Sequence, residues 1–307
     1  MGRFLAVIVV GLLSAGCAGF WGERGNYAWC NERYLYSRKP PVANAQHLRF
    51  ADRGYLYAVA GALVLQEADV EGDDYHFDLP SRMRPIEGPS QSGKYGFDVK
   101  AFDVLEASTS NNIEEVIIAF VGSNDWADWL WTNFLLSKQQ HSLARTYVKE
   151  IAKMRPGKRI VVTGFSLGGA LAVHVTKHED TKDFVSEAWA FNPSPKTWVS
   201  GETNRKIWLG AARGEVLSSV RSVFFRWLPG VNNIGAPPDQ TAEDFYLIET
   251  SGIYGHFRWV LPRNMLHMAD YQKAPNNIPL STEPLEILKR SRFSICKKVL
   301  EDSRPES

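Results

Sequence analysis

The sequence predicts an α/β fold, a mostly parallel sheet flanked by helices, and three stretches indicate it. Residues 116–121 (VIIAFV) are continuously apolar, as expected of a strand buried on both faces of a parallel sheet. Residues 160–163 form a second β-branched run, followed by a glycine-rich turn and a small-residue stretch typical of a helix. Residues 47–68 carry apolar side chains at helical spacing. Strands that alternate with helices are the pattern of an α/β domain.

The remaining elements follow from the same periodicities. Residues 97–105 alternate between apolar and polar and predict a strand, and residues 186–191 and 206–212 predict two more. Residues 141–154 and 281–300 predict helices. Residues 70–96 are rich in Gly, Pro, Ser and charge, which indicates a long surface loop.

Composition limits the classes of function. The chain has 307 residues, of which 44% are hydrophobic and 22% charged, enough for one large domain over residues 47–300. The net charge of +1 and the lack of a basic block argue against a nucleic-acid surface. The sequence has no phosphate-binding loop, no dinucleotide fingerprint and no zinc-ligand spacing, so we expect neither a cofactor nor a metal.

Residues 1–17 have the form of an export signal. Positive charge at Arg3 precedes ten apolar positions, and small residues lead to Cys17. The apolar run is shorter than the roughly 20 residues of a membrane-spanning helix. Residues 12–17 resemble the bacterial lipoprotein signal, which implies a lipid on Cys17 and an anchor in the bacterial envelope, in the outer membrane or periplasm. Ser14 departs from the larger aliphatic residue usual there, and ordinary cleavage near Ala18, with secretion, is the alternative.

The regions outside the domain carry the other two cysteines. We interpret residues 18–46 as a spacer and entry loop and residues 301–307 as a loose tail. With Cys17 assigned to lipid, Cys30 and Cys296 remain, one near each end of the mature chain. An oxidising compartment would allow them to pair, and two unconnected thiols are the alternative.

The glycine-rich turn carries the candidate nucleophile. Residues 164–168 read Gly-Phe-Ser-Leu-Gly between the predicted strand and helix, which is the G-x-S-x-G pattern of a nucleophile elbow. In that turn a serine occupies a strained corner above the sheet. The glycines on either side remove side chains that would collide with the neighbouring strand and helix. Ser166 is therefore the predicted nucleophile. A glycine-rich turn without chemistry is the alternative.

A second stretch carries a family resemblance. Residues 117–129 (IIAFVGSNDWADW) resemble the AFRGT or AFRGS stretch, often followed by DW, of the class 3, or fungal-type, lipase family of the α/β-hydrolase superfamily. The resemblance covers about residues 47–275. It implies that the backbone N–H of Ser123 contributes to an oxyanion hole, and Leu167, the residue after the nucleophile, supplies the second N–H. Val121 departs from the arginine usual in the family.

The same resemblance implies an acid. In the family, an Asp-x-Val segment follows the strand at the position of residues 206–212, and Glu215-Val216-Leu217 occupies that place here. Glu215 is therefore the predicted acid of the triad, with Asp239 and Asp244 as the alternative acids. A carboxylate that only starts a helix or forms a salt bridge is the other interpretation of Glu215.

Chain order selects the histidine. The order serine, acid, histidine leaves His256 and His267 as candidate bases. Residues 265–271 resemble the late family segment in which the catalytic histidine precedes an apolar run, which favours His267 and leaves His256 as the alternative. His174 and His178 follow the elbow on the same predicted helix, so we expect them at the surface or in packing.

Aromatic residues flank both halves of the predicted site. Trp126, Trp129 and Phe134 have helix-compatible spacing just after the oxyanion stretch, where fungal-type lipases carry a lid, and a buried helix is the alternative. Residues 223–230 form an aromatic patch that either borders the active site or a membrane, or ends a core helix.

These features predict an exported bacterial serine hydrolase that cleaves lipid esters of the lipase or phospholipase type through an acyl-enzyme. Its partners would be the ester substrate and a membrane surface. Two alternatives remain at this stage. One is an acyltransferase or thioesterase with the same serine chemistry, and the other is a non-catalytic lipoprotein that uses a hydrolase fold as a binding module.

Overall fold

The computed structural model describes residues 23–25, 45–68, 75–88, 97–121, 126–221, 229–245, 248–250, 252, 254–273 and 282–293. The strands are β1 (Glu23–Gly25), β2 (Tyr75–His76), β3 (Met83–Ile86), β4 (Val99–Leu105), β5 (Ile113–Phe120), β6 (Arg159–Phe165), β7 (Glu187–Phe191), β8 (Ile207–Ala212), β9 (Thr241–Phe245), β10 (Ile248–Thr250) and β11 (Arg292–Phe293). The α-helices are α1 (Ala45–Ala68), α2 (Trp126–Met154), α3 (Leu167–Lys177), α4 (Val216–Val220), α5 (Val260–Lys273) and α6 (Leu285–Arg290).

A seven-stranded sheet forms the centre of the domain, in the order β3-β4-β5-β6-β7-β8-β9. Strands β3, β4 and β5 pair antiparallel, and β5 to β9 pair parallel. The predicted mostly parallel sheet flanked by helices is therefore confirmed. Because β6, β7 and β8 are parallel neighbours, the loops at their carboxyl ends leave from one edge of the sheet.

Helices cover both faces of this sheet. On one face, α1 and α5 pack against each other and against side chains such as Val161 and Phe191. On the other face, α2 and α3 pack against the alternate side chains, such as Val162 and Ala190. The continuous apolar runs of the central strands are explained by this burial on both sides.

Two predicted regions differ from the structure. The predicted loop over residues 70–96 contains β2 and β3, and β3 extends the sheet as its antiparallel edge, with Met83 opposite Val104. Exposed Arg84 and Pro85 give this edge strand a loop-like composition, which a proline tolerates at an edge. The closing helix is shorter than predicted, because α6 ends at Arg290 and β11 then pairs with β2.

An ion-pair network joins the strands at their amino ends. The Arg159 guanidinium, at the start of β6, contacts the carboxylates of Glu115 on β5 and Glu187 on β7. Arg53 of α1 donates two hydrogen bonds to Glu187, at 3.2 and 2.9 Å. The Tyr57 hydroxyl donates to Glu115 at 2.9 Å. The network therefore links three parallel strands to α1 at the edge opposite the elbow.

We expect Arg159→Met to lower the free energy of unfolding by about 2 kcal/mol, because it removes the positive partner that two nearly buried carboxylates, those of Glu115 and Glu187, share. Urea denaturation measures the change. Arg290→Met is the matched control, because Arg290 forms only exposed ion pairs with Asp78 and Glu286, worth less than about 1 kcal/mol. Equal losses in the two variants would contradict a structural role of the network.

Candidate active site

The elbow has the strained geometry that its sequence predicts. Ser166 lies between the end of β6 and the start of α3 with φ 53° and ψ −120°, a conformation rare for a residue with a side chain. Its N–H donates to the Phe191 carbonyl at 3.0 Å, and its carbonyl accepts from Ser194 at 3.0 Å. The side chain makes no capping hydrogen bond to the helix. The backbone of the corner is thus fixed while the hydroxyl is not used to start α3.

Close packing explains the two outer glycines of the elbow. A Cβ on Gly168 would lie 2.2 Å from the carbonyl oxygen of Phe120, at the end of β5. A Cβ on Gly164 would lie 2.5 Å from the carbonyl carbon of Gly168. Leu167 is the first residue of α3, a position whose N–H has no acceptor within the helix. The start of α3 therefore packs directly against the end of β5, and Ser123 itself lies outside the described residues.

Glu215 follows β8 and is completely buried at its side chain, with three partners around the carboxylate. Its Oε2 atom accepts the backbone N–H of Leu217 at 2.9 Å and lies 2.8 Å from Nδ1 of His256. Its Oε1 atom lies 2.7 Å from Nη2 of Arg221. The Glu215 carboxylate thus makes the contacts of both interpretations. It contacts a histidine, and it also caps a short helix and forms an ion pair.

These partners decide the charge of Glu215. Burial alone would raise the pKa of its carboxyl, but the hydrogen bond to His256, the charges of His256 and Arg221 and the Leu217 N–H lower the pKa below the ordinary value. The carboxylate therefore remains ionised in spite of its burial.

His256 is the histidine that pairs with Glu215, in a 3₁₀ turn spanning Tyr254–His256. A carboxylate only accepts hydrogen bonds, so Nδ1 carries the proton and donates it. In the neutral ring the lone pair then lies on Nε2. This geometry is that of a histidine base oriented by an acid.

The preference for His267 as the base is revised accordingly. His267 lies within α5 and is buried, and burial together with the charge of Arg263 lowers its pKa well below the ordinary value. Leu261, Met265 and Met268, at helical spacing around it, belong to the core. That spacing was the available signal that residues 265–271 form a packed helix.

The other titratable candidates have different environments. Asp239 is exposed in the 3₁₀ turn Pro238–Gln240, and Asp244 lies in β9, its side chain outside the described part. His174 is buried, with Nδ1 2.8 Å from the Thr197 carbonyl, and burial followed by the charge of His141 lowers its pKa to about 3. His174 is therefore a neutral packing residue, as expected.

Arg221 is a residue that sequence reasoning missed. Its Nη1 atom donates to the carbonyl of Pro193 at 3.0 Å, and its Nε atom donates to Glu243 at 3.2 Å. With the ion pair to Glu215, its guanidinium connects the acid to the loop after β7 and to β9. An isolated arginine just after a short helix gives no sequence signal for this role.

Several predicted features fall on residues that the structure does not describe. They are Cys17, Cys30, Cys296 and residues 223–228 of the aromatic patch. The backbone over Trp126, Trp129 and Phe134 begins α2, but their side chains lie outside the description. Within the described ranges, no helix is long and apolar enough to span a membrane, and no three His, Cys, Asp or Glu side chains are grouped to hold a metal.

Comparisons with known proteins concern the fold. No family model matches the chain, and no curated protein does. A Rhizomucor miehei lipase propeptide complex is similar at 14% identity and a TM-score of 0.41, over 73% of this chain and 80% of that one. The Lip2 lipase of Yarrowia lipolytica is similar at 13% identity and 0.39, over 64% and 83%. A triacylglycerol lipase of Penicillium expansum is similar at 15% identity and 0.37, over 62% and 78%.

We expect Glu215→Gln to lower the free energy of unfolding by about 3 kcal/mol at neutral pH, because it removes a buried charge that has ionic partners. A carboxylate whose folded pKa is lowered stabilises the protein above its ordinary pKa of 4.5, and that contribution is lost as the pH falls through the folded pKa. The difference between the wild type and Glu215→Gln should therefore shrink in acid. Urea denaturation from neutral pH to pH ~3 measures it.

Glu243→Gln is the matched control for this measurement. Glu243 shares Arg221 but is 45% exposed at its side chain, so its removal should cost less than about 1 kcal/mol. A loss in Glu215→Gln that stays constant with pH would contradict the ionised state of the buried carboxylate.

Proposed function

We propose that this protein is a serine ester hydrolase in which Ser166 is the nucleophile, His256 the general base and Glu215 the acid. The observation that carries the proposal is the hydrogen bond between Glu215 and His256 at the sheet edge where the strained Ser166 also lies. Strained serine, oriented histidine and buried acid are the parts that acyl transfer requires.

In this mechanism the lone pair on Nε2 of His256 takes the proton of Ser166 as its Oγ atom bonds to the ester carbonyl carbon. The Nδ1 proton stays between His256 and Glu215, whose charge stabilises the imidazolium. Backbone N–H groups of Leu167 and Ser123 donate to the oxyanion. Collapse of the tetrahedral intermediate expels the alcohol, which takes the proton from His256. Water then attacks the acyl-enzyme with His256 again as base.

We propose lipid esters as the substrate class and the bacterial envelope as the location. The support is the sequence: the export signal, the lipoprotein-like cysteine and the aromatic residues that follow the oxyanion stretch. A lipid on Cys17 would hold the domain at a membrane surface, where such esters are concentrated.

We expect Ser166→Ala to abolish labelling by a fluorophosphonate probe and hydrolysis of a p-nitrophenyl ester. His256→Ala should lower both rates by at least about 1,000-fold, because the nucleophile loses its base. His267→Gln should keep most of the activity per folded molecule, because the His267 side chain is buried where α5 packs against the rest of the domain. Circular dichroism establishes that each variant is folded.

Loss of labelling in His267→Gln but not in His256→Ala would contradict this assignment of the base. A folded wild type that fails to label, with or without detergent micelles, would favour the non-catalytic binding module. Transfer of the acyl group from the enzyme to an added alcohol or thiol in preference to water would identify the acyltransferase alternative.

We expect Cys17→Ser to move the protein from the detergent phase to the aqueous phase of a Triton X-114 extract of expressing bacteria. The reason is that the substitution removes the thiol to which the lipid is attached. Cys30→Ser is the matched control and should stay in the detergent phase. Equal partition of the wild type and Cys17→Ser would contradict the anchor.

A further inference from the structure

Asn192, directly after β7, is a second strained residue at the carboxyl edge of the sheet. The φ angle of Asn192 is 42°, and the whole residue is buried. Asparagine tolerates left-handed backbone better than most residues with a side chain, but a buried polar side chain still needs hydrogen-bond partners. The side-chain amide of Asn192 therefore needs hydrogen bonds that offset both the backbone strain and the loss of contact with water.

The Asn192 side chain has a backbone partner at each end. Its Oδ1 atom accepts the N–H of Ala212 at 2.9 Å, and its Nδ2 atom donates to the carbonyl of Gly255 at 3.2 Å. A flipped amide would face NH₂ toward the N–H and oxygen toward the carbonyl, so the two partners fix its orientation. The backbone N–H of Asn192 donates to Gly210 at 2.8 Å.

The hydrogen-bond partners of Asn192 belong to two elements of the proposed site, and the residue before Asn192 contacts the third. Ala212 ends β8, from which the chain continues to Glu215, and Gly255 immediately precedes His256. Phe191, the residue before Asn192, accepts the N–H of Ser166. Asn192 thus lies where the nucleophile strand, the acid strand and the histidine turn meet.

Two contacts in and just before the turn Tyr254–His256 run to the loop that carries Glu215. The N–H of Val216 donates to the Gly252 carbonyl at 2.9 Å, and His256 contacts Glu215. Both contacts fix the turn relative to the segment after β8. The bond from Asn192 instead joins the turn to the end of β7, the direct neighbour of β6, which Ser166 follows.

We infer that Asn192 is a positioning residue, whose amide ties the turn that carries His256 to the end of β7 and so sets the position of His256 relative to Ser166. This inference rests on the proposed function. Without the amide, the turn that carries His256 loses its connection to β7, so His256 shifts relative to Ser166 and its hydrogen bond to Glu215 is weakened. A misplacement of about 1 Å at a reacting centre costs about 100-fold in rate.

Two substitutions separate the side chain from the backbone. Asn192→Gly keeps the left-handed conformation at no steric cost and removes both amide contacts. Asn192→Asp keeps an acceptor for Ala212 but turns an oxygen toward the Gly255 carbonyl. Thr181→Val is the matched control, because it removes a buried hydrogen bond, from Oγ1 to the Val175 carbonyl at 2.6 Å, beyond the far end of α3.

The measurements are thermal stability, the rate of fluorophosphonate labelling, and kcat and KM for a p-nitrophenyl ester. We expect both Asn192 variants to lower kcat and the labelling rate by about 100-fold per folded molecule, while KM changes less than about threefold. Thr181→Val should lower the melting temperature and leave both rates unchanged. Wild-type rates in folded Asn192→Gly would overturn the inference.

Proton NMR tests the same inference independently of activity. The Nδ1 proton of His256, shared with Glu215, should give a low-field resonance in the wild type that is absent from His256→Gln. We expect Asn192→Gly to broaden or lose it through faster exchange with water, and Thr181→Val to keep it. A resonance unchanged in Asn192→Gly would overturn the positioning role. An inactive wild type would instead overturn the proposed function, and the NMR result would then still show whether Asn192 holds the turn that carries His256.

Discussion

The buried charge of Glu215 is the constraint on which the arrangement of the site depends. A carboxylate removed from water is unfavourable unless charged or hydrogen-bonding groups surround it. Here the partners come from two segments: α4 together with Arg221 directly after it, and the turn that carries His256. Ionisation of one side chain therefore requires these two segments to meet around Glu215.

Strained backbone is concentrated at the same edge of the sheet. Ser166 and Asn192 follow paired parallel strands, and both have positive φ. Neither conformation is favourable by itself, at a cost on the order of 1–3 kcal/mol each. Hydrogen bonds between the strand ends and tight packing around Gly168 offset that cost, so both strained residues are retained at the carboxyl ends of neighbouring strands.

Local patterns in the sequence predicted much of this architecture. The apolar central strands, the elbow and α1 are fixed by periodicity and glycine placement within short windows, and the structure has them. The edge strand β3 was not predicted, because it is defined by its backbone pairing with β4 and not by its own composition.

The site was predictable only in part, for reasons of distance along the chain. Chain order left two candidate histidines, and only their surroundings in the folded chain distinguish them. His267 is buried on α5, whereas His256 contacts Glu215. The side-chain partners of Asn192 lie 20 and 63 positions away along the chain, and a single sequence does not show such contacts. Ser166 was accessible because one pentapeptide contains its whole local geometry.

The ion-pair network at the amino ends of β5, β6 and β7 has a consequence for the history of such a chain. Arg159, Glu115 and Glu187 hold the strands in register by contacts that involve none of the loops at the carboxyl ends. Those loops can therefore lengthen, shorten or exchange side chains during evolution without loosening the sheet. New side-chain arrangements at that end of the sheet become accessible by small steps, each starting from a domain that still folds.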